Sequence, residues 1–239
     1  MMTLSDFAEK MRESDDTVVF TGAGISTESG IPDFRSPGGI WSLYRQITFQ
    51  EYISSEEARI EAWKRRLDGW KHYKNAKPNI GHYFVHSLDA KGKLIGLITQ
   101  NVDGLHGVAG LAGDRIVELH GSNRQVLCLK CDRTYDPDEI IKRLVGDFES
   151  PKCDSCGGIL KSATVSFGQA MPEKAMRVAQ EWAEQAEVFV LSVEDIADAA
   201  KYREIGSQRK TRAQIHQGIT GYSCKFVGFI ASHYLIGVI

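Results

Sequence analysis

Thr17-Val-Val-Phe-Thr-Gly-Ala-Gly-Ile-Ser26 is the stretch that decides the fold of this chain. Its first half is a short, apolar, β-branched run, which predicts a buried strand. The strand pattern passes directly into a glycine turn, and this is how a nucleotide-binding α/β unit begins. Glycines at this place let the backbone approach a pyrophosphate. The third glycine of the G-x-G-x-x-G pattern is replaced by Thr27, so an ordinary glycine turn stays open as the alternative.

Outward from this stretch, apolar strand patterns alternate with helical patterns along the chain. Strands that alternate with helices predict a parallel sheet covered by helices on both faces. We therefore expect an α/β fold built on a Rossmann-like sheet. The predicted strands are residues 94–99, 116–119, 163–167 and 188–191, and the predicted helices are residues 1–13, 51–75, 82–88 and 173–186.

The composition of the chain limits the kinds of partner. Its 239 residues carry a formal net charge of −2, so the chain lacks the basic field that points to nucleic acid. The longest apolar runs are far shorter than a membrane span. The first residues have the pattern of an amphipathic helix and not of a targeting segment. We expect a cytoplasmic protein with no direct nucleic-acid or membrane partner, and the oligomeric state stays open.

Four cysteines in the middle of the chain form two CxxC pairs. Cys128 and Cys131 make the first pair, and Cys153 and Cys156 make the second. Each pair presents two thiolates from one tight turn, and two such turns close a tetrahedral site around Zn²⁺. With four protein ligands, the metal holds structure and does no chemistry. The alternatives are two disulfides, which a reducing compartment disfavours, or four unrelated core thiols.

The cysteine pairs indicate a small module inserted into a larger domain. We assign residues 121–160 to this zinc-binding module. Residues 1–120 and 161–239 then form the Rossmann-like domain, in which residues 192–239 are atypical because they carry no clear βαβ pattern. A helical insertion is expected at about residues 36–80.

Polar clusters follow the glycine turn and two of the predicted strands. They are Gly30-Ile-Pro-Asp-Phe-Arg35, Thr99-Gln-Asn-Val-Asp-Gly-Leu-His106 and Glu118-Leu-His-Gly121. Each has a structural alternative by itself, because Asp33 can cap a turn and a lone histidine is most often a hydrogen-bonded core residue. Three such clusters at the carboxyl edge of one sheet, however, predict a ligand site.

These motifs occur in a familiar order. The glycine turn, the three polar clusters, the two CxxC pairs and Val165-Ser-Phe-Gly168 follow one another as they do in sirtuins, which are NAD-dependent protein lysine deacylases. The resemblance covers about residues 7–191, and residues 161–172 look like the bacterial branch. It implies NAD as co-substrate, structural zinc on the four cysteines, and an acetyl-lysine protein or peptide as partner.

The resemblance also implies roles for individual residues. His120 corresponds to the family's general base, which suits a side chain that titrates near neutrality. Asn101 and Asp103 correspond to catalytic residues that hold the nicotinamide carboxamide pocket, and Phe34 to the ring that covers the reactive ribose. The remaining implied contacts to NAD are Gly22, Ala23, Gly24, Ser26, Asp33, Arg35, Gln100 and Val102, and those to substrate peptide are Val165, Phe167 and Gly168.

The implied reaction is removal of an acetyl group from lysine. The acyl oxygen attacks the nicotinamide ribose, and the products are free lysine, nicotinamide and O-acetyl-ADP-ribose. Family members that remove acidic acyl groups carry Tyr-x-x-Arg before the proline of this region. Residues 61–66 here read Glu-Ala-Trp-Lys-Arg-Arg, so we predict a preference for acetyl.

The resemblance ends after residue 191. Ser192-Val-Glu-Asp195 stands where the family has Gly-Ser-Ser, and no asparagine follows Asn123. We hypothesise a reading-frame change in the gene near this codon, and we expect an unpaired sheet edge beside the strand at 188–191. One alternative function is therefore a catalytically impaired, sirtuin-like peptide-binding protein that has lost half of the adenosine pocket. A further alternative is an ADP-ribosyltransferase that uses the same NAD-cleaving pocket.

Overall fold

The larger sheet of the protein has six strands. In the computed structural model, which describes residues 4–35, 37–144, 149–193, 226–231 and 234–238, their order across the sheet is β3-β2-β1-β7-β8-β9. The bounds of these strands are Thr17–Thr21 for β1, Leu94–Thr99 for β2, Ile116–Glu118 for β3, Val188–Val193 for β7, Phe226–Ala231 for β8 and Tyr234–Val238 for β9.

The first four of these strands form the predicted parallel core. β1 pairs in parallel with β2 and with β7, and β2 pairs in parallel with β3. The strands are short apolar runs because the sheet is buried on both faces, and every residue of β1 is buried. The α/β prediction is confirmed for this part of the chain.

Helices cover both faces of the parallel core. Helices α1 (Leu4–Glu13) and α5 (Ile80–Ala90) lie on one face, where Met11 and Val85 share a core cluster with Val19. Helix α8 (Glu173–Gln185) lies on the other face, where Ala179 packs with Phe20 and its sheet neighbours. Successive residues of β1 point to opposite faces, so one strand serves both clusters.

The predicted helix at 51–75 is two helices in the structure. Helix α3 spans Phe49–Ser54 and α4 spans Glu56–Asn75, after a short helix α2 at Ile40–Leu43. The break lies at Ser55, whose extended backbone starts α4 and whose hydroxyl accepts a hydrogen bond from the amide of Ala58. A serine at this position satisfies an orphan amide of the first turn, which periodicity alone does not reveal.

A second, antiparallel sheet carries the cysteines. It has the order β5-β4-β6, with β4 at Gly121–Cys128, β5 at Thr134–Tyr135 and β6 at Leu160–Thr164, and helix α7 (Pro137–Lys142) packs beside it. The strand expected at 163–167 in the larger domain is therefore β6, which begins earlier and pairs with β4. The module boundary at 160 falls inside the small sheet and not at its end.

The four cysteine sulfurs are gathered as a tetrathiolate site requires. All of them lie within 4.8 Å of one another. The Cys128 and Cys156 sulfurs are 3.5 Å apart, and those of Cys131 and Cys153 are 3.7 Å apart. A tetrahedron with Zn–S bonds of about 2.3 Å has edges of about 3.8 Å. The cysteines are free thiols, and their arrangement fits Zn²⁺.

The carboxyl-terminal strands correct one expectation. β8 pairs antiparallel with β7 along its length, and β9 pairs antiparallel with β8. The edge beside β7 is therefore paired, contrary to the expectation, and the sheet is mixed beyond β7. Glu194 and Asp195 lie outside the described residues. In the part of the chain that the structure describes, no helix is long and apolar enough to cross a membrane.

Loss of one cysteine thiolate should destabilise the small sheet. We expect Cys128→Ala or Cys153→Ala to lower the melting temperature, because the site loses a ligand and the metal's folding contribution. Metal analysis of the reduced parent should find one zinc per chain. Zinc-free, fully folded parent protein would contradict the tetrathiolate assignment.

Gly96 in β2 leaves no room for a side chain, because the Trp182 ring packs directly against it. A Cβ atom there would lie 2.3 Å from the Trp182 ring of α8, so we expect Gly96→Ala to lower the free energy of unfolding by about 1–3 kcal/mol through overpacking. Gly69→Ala is the matched control, because a Cβ at Gly69 in α4 meets no atom within 4 Å and alanine favours the helix. Equal unfolding curves for the two variants would contradict this packing.

Candidate active site

Three predicted segments meet at the carboxyl edge of the parallel strands. Thr21 and Thr99 are paired at the ends of β1 and β2. The pairing continues past the strand ends, because the amide of Gln100 donates to Thr21 O at 3.0 Å and that of Leu119 donates to Thr99 O at 2.9 Å. The polar residues after each strand are therefore held at one edge.

His120 has a defined proton arrangement. Its Nδ1 atom lies 3.0 Å from the carbonyl oxygen of Gln100. A carbonyl only accepts, so Nδ1 carries the proton and Nε2 of the neutral ring is the unprotonated nitrogen. The backbone is also fixed, because the amide of Val165 donates to His120 O at 2.8 Å. The half-buried imidazole is thus held through Nδ1, and Nε2 is the nitrogen that can accept a proton.

Asn101 and Asp103 are tied to the glycine turn through Ser26. The Ser26 hydroxyl donates to Asp103 Oδ2 at 2.7 Å, and Asn101 Nδ2 donates to Ser26 Oγ at 3.3 Å. Asp103 Oδ1 also accepts from the amide of Leu105 at 2.8 Å, at the start of helix α6 (Leu105–Val108). All three polar side chains are buried, and their hydrogen bonds offset the cost of that burial.

His82 is a member of this network that the sequence did not reveal. Its Nδ1 atom accepts from the amide of Asn79, the residue that caps α5, at 3.3 Å. The ring proton therefore lies on Nε2, which is 3.4 Å from Ser26 Oγ. In the sequence, His82 fits the helical pattern of α5 and looks like an ordinary inward-facing residue. The cap formed by Asn79 and His82 is the feature that could have drawn attention to this side chain.

His106 is a buried core residue. Its Nε2 atom is 3.1 Å from Thr21 Oγ1, and Thr21 Oγ1 donates to Thr99 Oγ1 at 2.8 Å. Burial, together with the His82 ring 4.6 Å away, lowers the pKa of His106 to about 3. The imidazole is neutral at physiological pH. It matches the core-histidine alternative and is not a base for the cleft.

The segment that follows the glycine turn lines an open cavity. Gly22 follows β1, and the chain then enters a 3₁₀ helix at Ala23–Ser29, which contains Gly24. The cavity, of about 330 Å³, is lined by Thr27, residues 30–33 and residues 37–39. Asp33 lines it with Gly39, where an added Cβ would lie 2.8 Å from Asp33 Oδ1. The space suits a ligand that approaches the backbone closely.

An aromatic row joins this loop to the segment after β6. The Phe34 ring is 5.7 Å from Trp41, and Trp41 is 5.6 Å from Phe167. The Arg35 guanidinium lies 5.1 Å from the centre of the Trp41 ring. Trp41 therefore connects the predicted NAD loop with the predicted substrate segment, a role that no sequence pattern indicated.

The predicted peptide-binding segment is already partly paired within the chain. The amide of Phe49 donates to Phe167 O at 2.8 Å, beside a parallel bridge between Thr48 and Phe167. The Phe167 side chain is 45% exposed, and Gly168 has a left-handed backbone. The segment reaches the surface next to Trp41 and leaves an aromatic side chain open to solvent.

A second cavity, of about 290 Å³, lies behind the Asn101–Asp103 loop. Glu118 and Arg124 line it with Asn101, Asp103 and His106. Burial, followed by the Asp103 charge, raises the pKa of Glu118 to about 7. The sequence analysis named Glu118 only as part of Glu118-Leu-His-Gly121 and did not single out Arg124. Glu118 is the last residue of β3 and Arg124 lies in β4, so the cavity brings together residues from the two sheets.

Taken together, the cleft contains an oriented histidine base, a buried carboxylate–amide pair and a glycine turn with space beside it. These groups can carry out acid–base chemistry on a bound, polar substrate.

Val102, the remaining predicted contact in this loop, is half-buried. Its carbonyl oxygen accepts from the amide of Asn123 at 2.7 Å, so the Val102 backbone helps to fix the loop.

Known proteins are similar to this chain in sequence and in fold. A model of the Sir2 family matches residues 22–193. The NAD-dependent protein deacetylase of Thermodesulfovibrio yellowstonii is 44% identical over 186 residues, which cover 78% of this chain and 72% of that protein. That of Rhodopseudomonas palustris is 42% identical over 187 residues, with 78% and 74% covered.

Solved structures agree with the sequence matches. A Sir2 protein solved with a p53 peptide and NAD⁺ superposes with a TM-score of 0.70 at 34% identity, over 80% of this chain and 75% of that chain. The family match extends from the glycine turn to the end of β7, and the relatives are similar over most of their own length. The chain therefore belongs to the Sir2 family, the sirtuins.

Proposed function

We propose that this protein is an NAD-dependent protein lysine deacetylase that releases nicotinamide and O-acetyl-ADP-ribose. The observation that carries the proposal is the orientation of His120, whose Nδ1 proton is held by Gln100 O at 3.0 Å beside the Asn101–Asp103 loop. Relatives named NAD-dependent protein deacetylase and a related structure with peptide and NAD⁺ support it. Acetyl-lysine proteins of the cytoplasm are the proposed substrates.

NAD, when bound, supplies the ribose carbon that receives the acyl oxygen and the nicotinamide that leaves. His120 is the residue that takes a proton, through Nε2, from a ribose hydroxyl. Because Nδ1 bonds Gln100 O, Nε2 lies on the opposite side of the ring from this carbonyl. When the ring becomes protonated, the hydrogen bond from Nδ1 to Gln100 O becomes charge-assisted and stronger. A general base of this kind contributes about 10²–10⁴-fold to rate.

Asn101 and Asp103 are the proposed holders of the nicotinamide carboxamide. Ser26 sets the orientation of both, because it donates to Asp103 Oδ2 and accepts from Asn101 Nδ2. Buried, mutually bonded side chains hold their positions without reorganisation, which is what a positioned leaving group requires. Gly22, Ala23 and Gly24 are the proposed backbone contacts to the pyrophosphate.

Val165, Phe167 and Gly168 are the proposed peptide-binding residues. Main-chain pairing with an extended peptide needs a segment that reaches the surface, and Phe167 is exposed beside Trp41. Phe34 lies on the other side of Trp41. We assign Trp41 the role of linking the loop over the ribose to the segment that holds the peptide.

A catalytically impaired, peptide-binding protein is the second candidate. The family match ends at residue 193, and Ser192-Val-Glu-Asp195 replaces the Gly-Ser-Ser that resemblance leads one to expect. Acidic residues near a pyrophosphate are unfavourable, whereas backbone N–H groups favour it. Both observations support weak binding of the adenosine half of NAD.

His120→Ala should lower deacetylation of an acetyl-lysine peptide by at least about 10²-fold, because the base is removed. The melting temperature should stay close to that of the parent, since the ring is only half-buried. His72→Ala is the control, because His72 is exposed in the last turn of α4. Near-parental turnover by His120→Ala would remove His120 from this role.

Replacement of residues 192–239 by the corresponding segment of a bacterial relative should distinguish the two candidates. If the present tail impairs the site, the chimera should bind NAD more tightly than the parent and, in the presence of NAD, gain more in melting temperature. Calorimetry measures the affinity of the parent and the chimera for NAD. A separate experiment with labelled NAD tests the ADP-ribosyltransferase alternative, which requires that the label remain on protein. Tight NAD binding and full turnover by the parent chain would exclude impairment.

A further inference from the structure

Arg124 forms a direct contact with the loop that carries Asn101 and Asp103. Its Nε atom donates to the carbonyl oxygen of Asp103 at 2.6 Å. The preceding residue of β4, Asn123, donates from its amide to Val102 O at 2.7 Å. Two consecutive residues at the start of the small sheet thus bond two consecutive carbonyls of the cleft loop.

The Arg124 side chain also lies against Gly104. A Cβ atom at Gly104 would be 2.6 Å from Arg124 Cδ and 2.7 Å from Nε, and the glycine has φ +66°. A larger residue at position 104 would therefore displace the arginine and strain the backbone. The close approach shows that Arg124 and the turn between Asp103 and Leu105 are fitted to each other.

Glu118 lies in the same cavity as Arg124, Asp103 and His106. Burial and the Asp103 charge raise the pKa of Glu118, while a hydrogen bond from Ser122 and the charge of Arg124 lower it. Among the described residues, Arg124 forms no ion pair within 4 Å. The positive charge of Arg124 therefore acts on Glu118 through space and favours the ionised form of that carboxyl group.

We propose that Arg124 is a positioning residue that holds the Asn101–Asp103 loop through the carbonyl oxygen of Asp103, and that Glu118, in the same cavity, sets the pH at which this hold weakens. The proposal rests on the proposed function, in which Asn101 and Asp103 hold the nicotinamide carboxamide. Arg124 acts through the Asp103 carbonyl and does not touch the reacting atoms. Ionised Glu118 places a second negative charge beside Asp103 and loosens the same loop.

Two classes of measurement separate this role from a general effect on the fold. One is kinetic: the loop binds the nicotinamide end of NAD, so its loosening changes the NAD parameters and leaves the KM for the peptide, which lies at residues 165–168, unchanged. The other is structural: hydrogen exchange of the segment at residues 99–106, measured without NAD, reports the loop directly and requires no activity.

Arg124→Ala should speed hydrogen exchange in residues 99–106 and raise the KM for NAD about tenfold, as the loss of one hydrogen bond from a charged donor predicts. Arg124→Lys should recover part of both effects, because an ammonium group donates to a carbonyl but lacks the planar fork. Arg177→Ala is the control, since the Arg177 side chain is 72% exposed and its ion pair is with Glu181 of the same helix, α8.

Unchanged exchange and unchanged NAD parameters in Arg124→Ala would overturn the proposal. An increase in exchange across the whole chain would mean general destabilisation by the alanine, and Arg124→Lys then decides: faster exchange confined to residues 99–106 supports the proposal, and unchanged exchange there overturns it. If the parent has no deacetylase activity, the proposed function fails, whereas exchange of residues 99–106 still decides the positioning role.

Glu118→Gln tests whether ionisation of Glu118 weakens the arrangement of the Asn101–Asp103 loop. The folded pKa of Glu118 is raised to about 7, so its ionisation destabilises the fold increasingly as the pH rises from its ordinary pKa, near 4.5, to about 7. Glu118→Gln should therefore melt at a higher temperature than the parent at pH 8, and the difference should shrink at pH 5. The protection factors of residues 99–106, which compare observed exchange with the intrinsic rate at the same pH, should fall in the parent over the same pH range and stay level in Glu118→Gln. A constant difference at all pH values would overturn the assignment.

Discussion

Parallel pairing of β1, β2 and β3 is the constraint on which the site depends. Parallel strands end at the same edge of a sheet, so residues far apart in sequence arrive at one place with no choice of side. Here the pairing of Thr21 with Thr99 continues into the loops through the amides of Gln100 and Leu119. The orientation of His120 follows, because its proton acceptor is the carbonyl of Gln100. Any shift in this register would move the base and the carboxylate apart.

The small sheet is coupled to that edge and is not a separate appendage. β4 begins directly after His120, and its first residues bond the loop that carries Asp103. Arg66 of α4 joins the same place from the other side, because it donates to Asn123 Oδ1 at 3.0 Å and to Asn123 O at 2.6 Å. Burial lowers the pKa of Arg66 to about 10. Its hydrogen bonds to Asn123 offset the cost of burying this cation, and they connect α4 with the strand that also bonds the Val102–Asp103 loop.

In the carboxyl-terminal part, after β7, pairing of the strands and binding of NAD depend on different groups. β8 pairs with β7 and completes the edge of the sheet, although its sequence differs from what the sirtuin resemblance leads one to expect. A paired edge needs only main-chain groups and apolar side chains, and many sequences supply them. A phosphate contact needs particular backbone N–H groups without nearby acids. Completion of the sheet therefore says little about the adenosine half of the site.

The sequence by itself determined the strand–glycine-turn start, the alternation of strands and helices, the four zinc ligands and the polar residues after the strands. These are local signals, because they depend on periodicity of two or 3.6 residues, on CxxC spacing and on backbone freedom at glycine. Only the tertiary structure decided that β6 belongs to the small sheet, that His82 and Ser26 orient Asp103, and that Trp41 and Arg124 reach the cleft. Such contacts join residues tens of positions apart, and no local pattern encodes them: they exist because packing of the sheets brings particular atoms within hydrogen-bonding distance.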